Sequence, residues 1–85
     1  MEMGFTGSFI GLLRKQDFFV NCCGNDRFEI WGIGEEKTNG FIKFDAFRNF
    51  IHFSGDLVRY RPDKKNAIKR LILDSYESAR LAHPD

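Results

Sequence analysis

Nowhere do these 85 residues run apolar for the roughly 18 positions that a membrane span requires. No basic stretch followed by an apolar one reads as a signal peptide. Cysteine is scarce, and two thiols cannot build a disulfide scaffold. The two are adjacent, Cys22 and Cys23. Neighbouring side chains on a strand point to opposite faces, so this pair would not bridge without a distorted peptide. Both read as reduced, structural thiols, which suits a cytoplasmic protein. Charge excess is missing as well: 13 Lys and Arg stand against 12 Asp and Glu, a net of +1. A protein that coats DNA needs a large basic surplus to neutralise phosphates, so that class is not expected.

Groups for catalysis and metal binding are equally thin. His52 and His83 are single and far apart in sequence, whereas a metal site needs three or four converging ligands. A cysteine nucleophile needs a base. His52 is the one candidate, and no spacing brings it to Cys22 or Cys23. Gly32-Ile33-Gly34 is followed by Glu35 and Glu36, and acids repel the phosphate that a glycine-rich loop would cradle. Asp45, Asp56, Asp63 and Asp74 read as caps or surface residues. The expectation is therefore a protein that is not an enzyme and takes no cofactor and no metal.

Aromatic residues, by contrast, are plentiful: ten Phe, two Tyr and one Trp in a 9.9 kDa chain. With 42% hydrophobic residues and near-neutral charge, the chain is not of disordered composition. It has room for one domain, residues 1–85, which buries about 60% of the surface its unfolded chain exposes. Rings beyond the needs of so small a core would lie in a surface shared with a partner.

Gly4 and Gly7 loosen the amino terminus. Residues 8–15 are ambiguous: Phe9, Leu12 and Leu13 have helical spacing and Ser8 could cap, while Gly11 costs a helix about 1 kcal/mol. Residues 17–23 and 27–33 read as a hairpin around Gly24-Asn25-Asp26. A three-residue loop pairs Val20 with Ile30, Asn21 with Glu29, Cys22 with Phe28 and Cys23 with Arg27. It separates the faces cleanly: Phe18, Val20, Cys22, Phe28 and Ile30 toward the core, and Phe19, Asn21, Cys23, Arg27, Glu29 and Trp31 away from it.

A polar loop over residues 34–40 ends in the turn signal Asn39-Gly40 and leads to a third strand over 41–44. Asp45 then caps a short helix over 46–53, because Phe47, Phe50 and Ile51 fall at i, i+3 and i+4. Gly55 is a left-handed stop. Residues 57–60 are extended, and Pro62 keeps its predecessor out of the helical region. Pro62 opens a long helix to about Ala82, with Ile68, Leu71, Ile72, Ser75, Ala79 and Ala82 in one stripe. The predicted fold is α+β: a three-stranded antiparallel meander, a short helix, and a long C-terminal helix packed on the sheet.

Two surfaces could carry function. Lys69, Leu73, Tyr76 and Arg80, at i, i+4, i+7 and i+11, form a second stripe roughly opposite Leu71. Either the chain's own amino-terminal segment or short helix covers Leu73 and Tyr76, or the stripe meets a partner as a helix meets a groove. The other surface is the non-core face of the hairpin, where Phe19 and Trp31 sit side by side, rimmed by polar residues. The expected function follows from these: a small adaptor, inhibitor or immunity-type module that binds another protein or a second copy of itself. The alternative is a nucleic-acid-binding module using the basic run Arg59, Arg61, Lys64, Lys65, Lys69 and Arg70, with Tyr60 or Trp31 stacking on bases.

Overall fold

The computed structural model describes residues 4–32 and 40–82. Helix α1 (Gly4–Lys15) leads into strands β1 (Phe18–Gly24), β2 (Arg27–Gly32), β3 (Ile42–Asp45) and β4 (Phe50–Phe53). A 3-10 helix, Gly55–Arg59, and the long helix α2 (Pro62–Ala82) complete the order. The strands form one antiparallel meander in the order β1-β2-β3-β4. The fold is thus α+β with four strands, where the sequence reading had three. Most of the loop read over 34–40 lies outside the described residues.

Alternation explains the layers. Phe28 and Ile30 of β2, Ile42 and Phe44 of β3 and Phe53 of β4 are buried. Their sequence neighbours Arg27, Glu29, Lys43, Asp45, Phe50 and His52 point the other way, as period two requires. Both helices pack on the buried face. Phe9 of α1 is wholly buried and meets Phe28 and Phe44 at centroid distances of 4.9 and 5.8 Å. Ile68, Ile72, Ser75 and Ala79 line the inner side of α2. Gln16, just past α1, donates from Nε2 to the buried Ser75 Oγ at 3.2 Å and to Leu12 O at 3.1 Å.

The ambiguous amino-terminal segment is helical, and it starts at Gly4 rather than in a loose end. Burial of Phe9 and Leu13, about 1.5–3 kcal/mol for each large apolar side chain, outweighs the cost of about 1 kcal/mol for Gly11. The hairpin register holds from Phe18 opposite Gly32 to Cys22 opposite Phe28. It then slips, so that Gly24 rather than Cys23 faces Arg27, the local signature of an extra residue in one strand. Cys22, placed on the core side by the sequence reading, is exposed, on the edge strand β1.

Two further expectations are corrected. Residues 46–53 are not a helix but a turn followed by β4. Asp45 does cap: Arg48 N donates to its Oδ1 at 3.1 Å. One turn later Asn49 adopts a left-handed φ of 53° and reverses the chain. Phe47 is left 85% exposed at the tip, and Ile51 and Phe53 face the core two residues apart. Residues 57–59, read as part of an extended segment 57–60, are not extended either. Gly55 has the left-handed φ expected of it, 64°, but it starts a 3-10 turn that buries Leu57. Extended backbone resumes only at Tyr60, at φ −59° and ψ 143°. Helix α2 has the bounds the sequence indicates, although Ala82 is exposed rather than part of the buried stripe.

Candidate binding surfaces

With both helices on one face of the sheet, the other face has no covering layer among the described residues. Its composition follows from the register. One cross-strand row runs Asn21, Glu29, Lys43, His52; the next runs Gly24, Arg27, Asp45, Phe50. At one side of these rows Phe19 lies opposite Trp31, with ring centroids 5.9 Å apart and planes at 32°. Across the sheet, Phe50 and His52, two residues apart on β4, stack at 5.9 Å with planes at 8°. Phe19 is 37% and Phe50 51% exposed.

The ground between the ring pairs is charged and balanced. Arg27 faces Asp45 and Glu29 faces Lys43. Arg48 Nε lies 4.0 Å from Asp45 Oδ2. These residues and Phe50 line a shallow depression of about 600 Å³. The sequence analysis found Phe19 and Trp31 but missed Lys43, Phe50 and His52. The alternation of Phe50–Phe53 would have revealed them had the i, i+3, i+4 spacing not suggested a helix.

The proposed stripe of α2 is less open than its spacing suggests. Tyr76 is half-buried and makes edge-on contacts with Phe5, Phe9 and Phe44 at 4.9, 5.3 and 5.3 Å. Lys69 is also half-buried, its ammonium 6.0 Å from the Phe53 ring. Arg80 is exposed, with its guanidinium 5.9 Å from the Phe5 ring. Leu73 is 38% exposed. The stripe's central ring therefore packs within the chain's own core, the alternative in which the amino-terminal segment covers it, while Leu73 stays exposed. The reason is α1. It brings Phe5 and Phe9 alongside α2 and covers Tyr76 from a direction that a helix on a bare sheet would leave free.

The basic run lies elsewhere. Arg59, Arg61, Lys64 and Arg70 are exposed, and Lys65 is half-buried. The Lys64 ammonium sits 3.8 Å from the Tyr60 ring centroid, and that of Lys65 lies 5.9 Å from Phe53.

Topology separates the groups that a cysteine enzyme would need together. Cys22 and Cys23 are on β1 and His52 on β4, the opposite edges of the sheet. Three strand spacings of about 4.8 Å part them. Among the described residues no three His, Cys, Asp or Glu side chains converge as a metal site would require, and no helix is long and apolar enough to cross a membrane. Compared with protein-family models, with curated proteins and with solved structures, this chain matches none.

Proposed function

We propose that this protein is a non-enzymatic binding module that engages another protein through the open face of its sheet. The observation that carries the reading is that Phe19 and Phe50, at 37% and 51% exposure, stand on the face opposite both helices, Phe19 tilted against Trp31 and Phe50 stacked on His52. An edge-strand ring on a face turned to water has no packing reason to be large and apolar. Between them lie charges of both signs, Arg27 and Lys43 with Glu29 and Asp45. That mixture favours a protein over a nucleic acid, because the carboxylates would meet phosphates of their own sign. Apolar anchors framed by paired charges suit a protein partner with a matching apolar side chain and complementary rim.

The size of the face bounds the affinity. Four strands about 4.8 Å apart and four to seven residues long make a patch of roughly 300–400 Å². A stable complex takes about 800 Å² from each partner, so the contact is transient unless adjoining turns join it. Adaptor or inhibitor action would then consist of occupying the partner's surface.

The test is capture of partners from cells that make the protein, with wild type, Phe50→Asp, Trp31→Ala and Leu73→Glu compared at equal folded concentration by circular dichroism. The reading expects a discrete protein partner that is retained by Leu73→Glu and lost by the two sheet variants. Loss on Leu73→Glu alone would move the site to α2 and overturn the reading. So would a wild-type chain that captures no protein and scatters light as a 9.9 kDa monomer.

A further inference from the structure

A second surface lies on the other side of the molecule, where charge is segregated rather than balanced. Residues 59–70 hold six cations, Arg59, Arg61, Lys64, Lys65, Lys69 and Arg70, and one acid, Asp63. That leaves seven cations and eleven acids elsewhere, so a segment of +5 is set in a remainder of −4. The near-neutral total hides a strongly polar distribution.

The structure does not neutralise this segment from within. Among the described residues no ion pair joins any of the six cations to a carboxylate. Two of them are brought together instead. Lys65 and Lys69 are one helical turn apart, and their ammonium groups lie 5.9 and 6.0 Å from the centroid of one ring, Phe53. Like charges at this spacing repel. Lys64 and Lys65 also lie in the first turn of α2, where the helix dipole opposes positive charge. Contact with aromatic faces offsets part of this and fixes the lysine stems on Phe53 and Tyr60, themselves in contact at 6.5 Å.

We infer that the 59–70 segment binds the phosphodiester backbone of a nucleic acid, without reading sequence. The cations extend along at most roughly 20 Å of chain, counting about 1.5 Å per residue of α2 and about 3.3 Å per residue of the short lead-in from Arg59. That is the reach of about six phosphates of one strand at 3.4 Å each. Base stacking is not the means: the Lys64 ammonium occupies one face of Tyr60 at 3.8 Å. A lipid surface is the poorer occupant, because among the described residues Val58 and Leu73, on opposite sides of the run, are the large apolar side chains exposed beside the cations, and a membrane-lying segment needs a broad apolar face. The site faces away from the open side of the sheet, since Phe53 belongs to the helix-covered face, so it stands or falls separately from the protein-binding reading.

Fluorescence anisotropy with a fluorescein-labelled mixed-sequence 25-nucleotide single strand, and with its duplex, tests this. The full chain is expected to bind at 50 mM salt and to weaken steeply by 200 mM, with little difference between unrelated sequences. Arg59→Gln/Arg61→Gln/Lys64→Gln, at exposed positions, should weaken binding at least tenfold and flatten the salt slope. Lys65→Gln/Lys69→Gln should do the same while circular dichroism confirms the fold. Phe50→Asp should bind as wild type does. No binding at 50 mM salt, binding indifferent to salt, unchanged affinity in both glutamine variants, or tighter association with phosphatidylserine vesicles than with the oligonucleotides would each overturn the inference.

Discussion

The phenol of Tyr76, midway along α2, donates a hydrogen bond of 3.4 Å to Oδ1 of Asp26 in the β1–β2 turn, fifty positions away in sequence. The same ring stands edge-on to Phe5, Phe9 and Phe44 at interplanar angles of 84°, 86° and 87°. One side chain thus touches α1, β3 and the hairpin turn from a position on α2. Asp26 is itself a junction. It adopts a left-handed φ of 57°, and its carbonyl accepts a bond of 2.8 Å from Ala46 N at the end of β3.

Removing only the hydroxyl separates the two roles of Tyr76. The bond is longer than usual for an O–H donor, so Tyr76→Phe is expected to cost about 0.5–1 kcal/mol. Tyr76→Ala removes three edge-on ring contacts and opens a cavity, and should cost about 3–5 kcal/mol. Asp26→Asn keeps an acceptor and tolerates the left-handed turn, so it should be near neutral. Urea unfolding followed by Trp31 fluorescence ranks the three. If Phe and Ala cost the same, packing around the ring does not stabilise the fold.

Gly40 is buried at φ 138°, a conformation that side chains rarely adopt. A Cβ there would run into the carbonyl oxygen of Ser54, which is backbone held by Ser54 N and Oγ bonding to Phe41 O at 3.0 and 2.8 Å. Gly40→Ala must therefore distort either its own backbone or the strap from β4 to the 3-10 helix. The expected loss is about 2–3 kcal/mol, read as a lower thermal midpoint. Gly11, whose added Cβ would meet nothing within 4 Å, provides the contrast: Gly11→Ala should stabilise α1 by up to about 1 kcal/mol.

Asn49 accommodates the reversal by which the chain turns back after Asp45 into β4. Its φ of 53° suits Asn and Gly and penalises β-branched residues. Asn49→Gly is expected to be neutral within about 0.5 kcal/mol, and Asn49→Val to cost about 1–2 kcal/mol. Should Asn49→Val match wild type in thermal unfolding, the turn is not what holds β4 in the sheet.

The failure of the helical reading over 46–53 shows what a sequence pattern leaves undetermined. Asp45 acts as a cap in both conformations, because an acceptor for the N–H three residues on suits a turn as well as a helix. Phe47, Phe50 and Ile51 share one face only if a helix forms. In the strand that does form, Phe50 and Ile51 oppose each other. Which outcome wins depends on the edge of β3, which offers Ile51 and Phe53 a ladder and a core, and local spacing carries no information about that edge. Helix α2 was legible because its 21 residues repeat their stripe several times between Pro62 and Ala82.

Legibility of the binding surfaces divides the same way. The Phe19–Trp31 pair followed from the register, which one face of alternating polarity was enough to fix. Phe50 and His52 were invisible until β4 joined the sheet. Tyr76 looked like an outward residue because its spacing places it away from Leu71. The helix that covers it, α1, comes from a segment whose glycines obscured its character.

Cys22 and Cys23 offer a check on the exposed end of β1. Both thiols are exposed and unbridged. Cys22 Sγ donates to Gly24 O at 3.3 Å and Cys23 Sγ to Asn21 O at 3.7 Å. Neither contact buries sulfur, so both should react with Ellman's reagent in the folded protein, giving two equivalents per chain without denaturant. Replacing both with Ser should change stability by no more than about 0.5 kcal/mol. If one thiol reacts only after urea is added, that side chain is covered in the folded protein, and the end of β1 is not open to solvent as the exposure of both thiols requires.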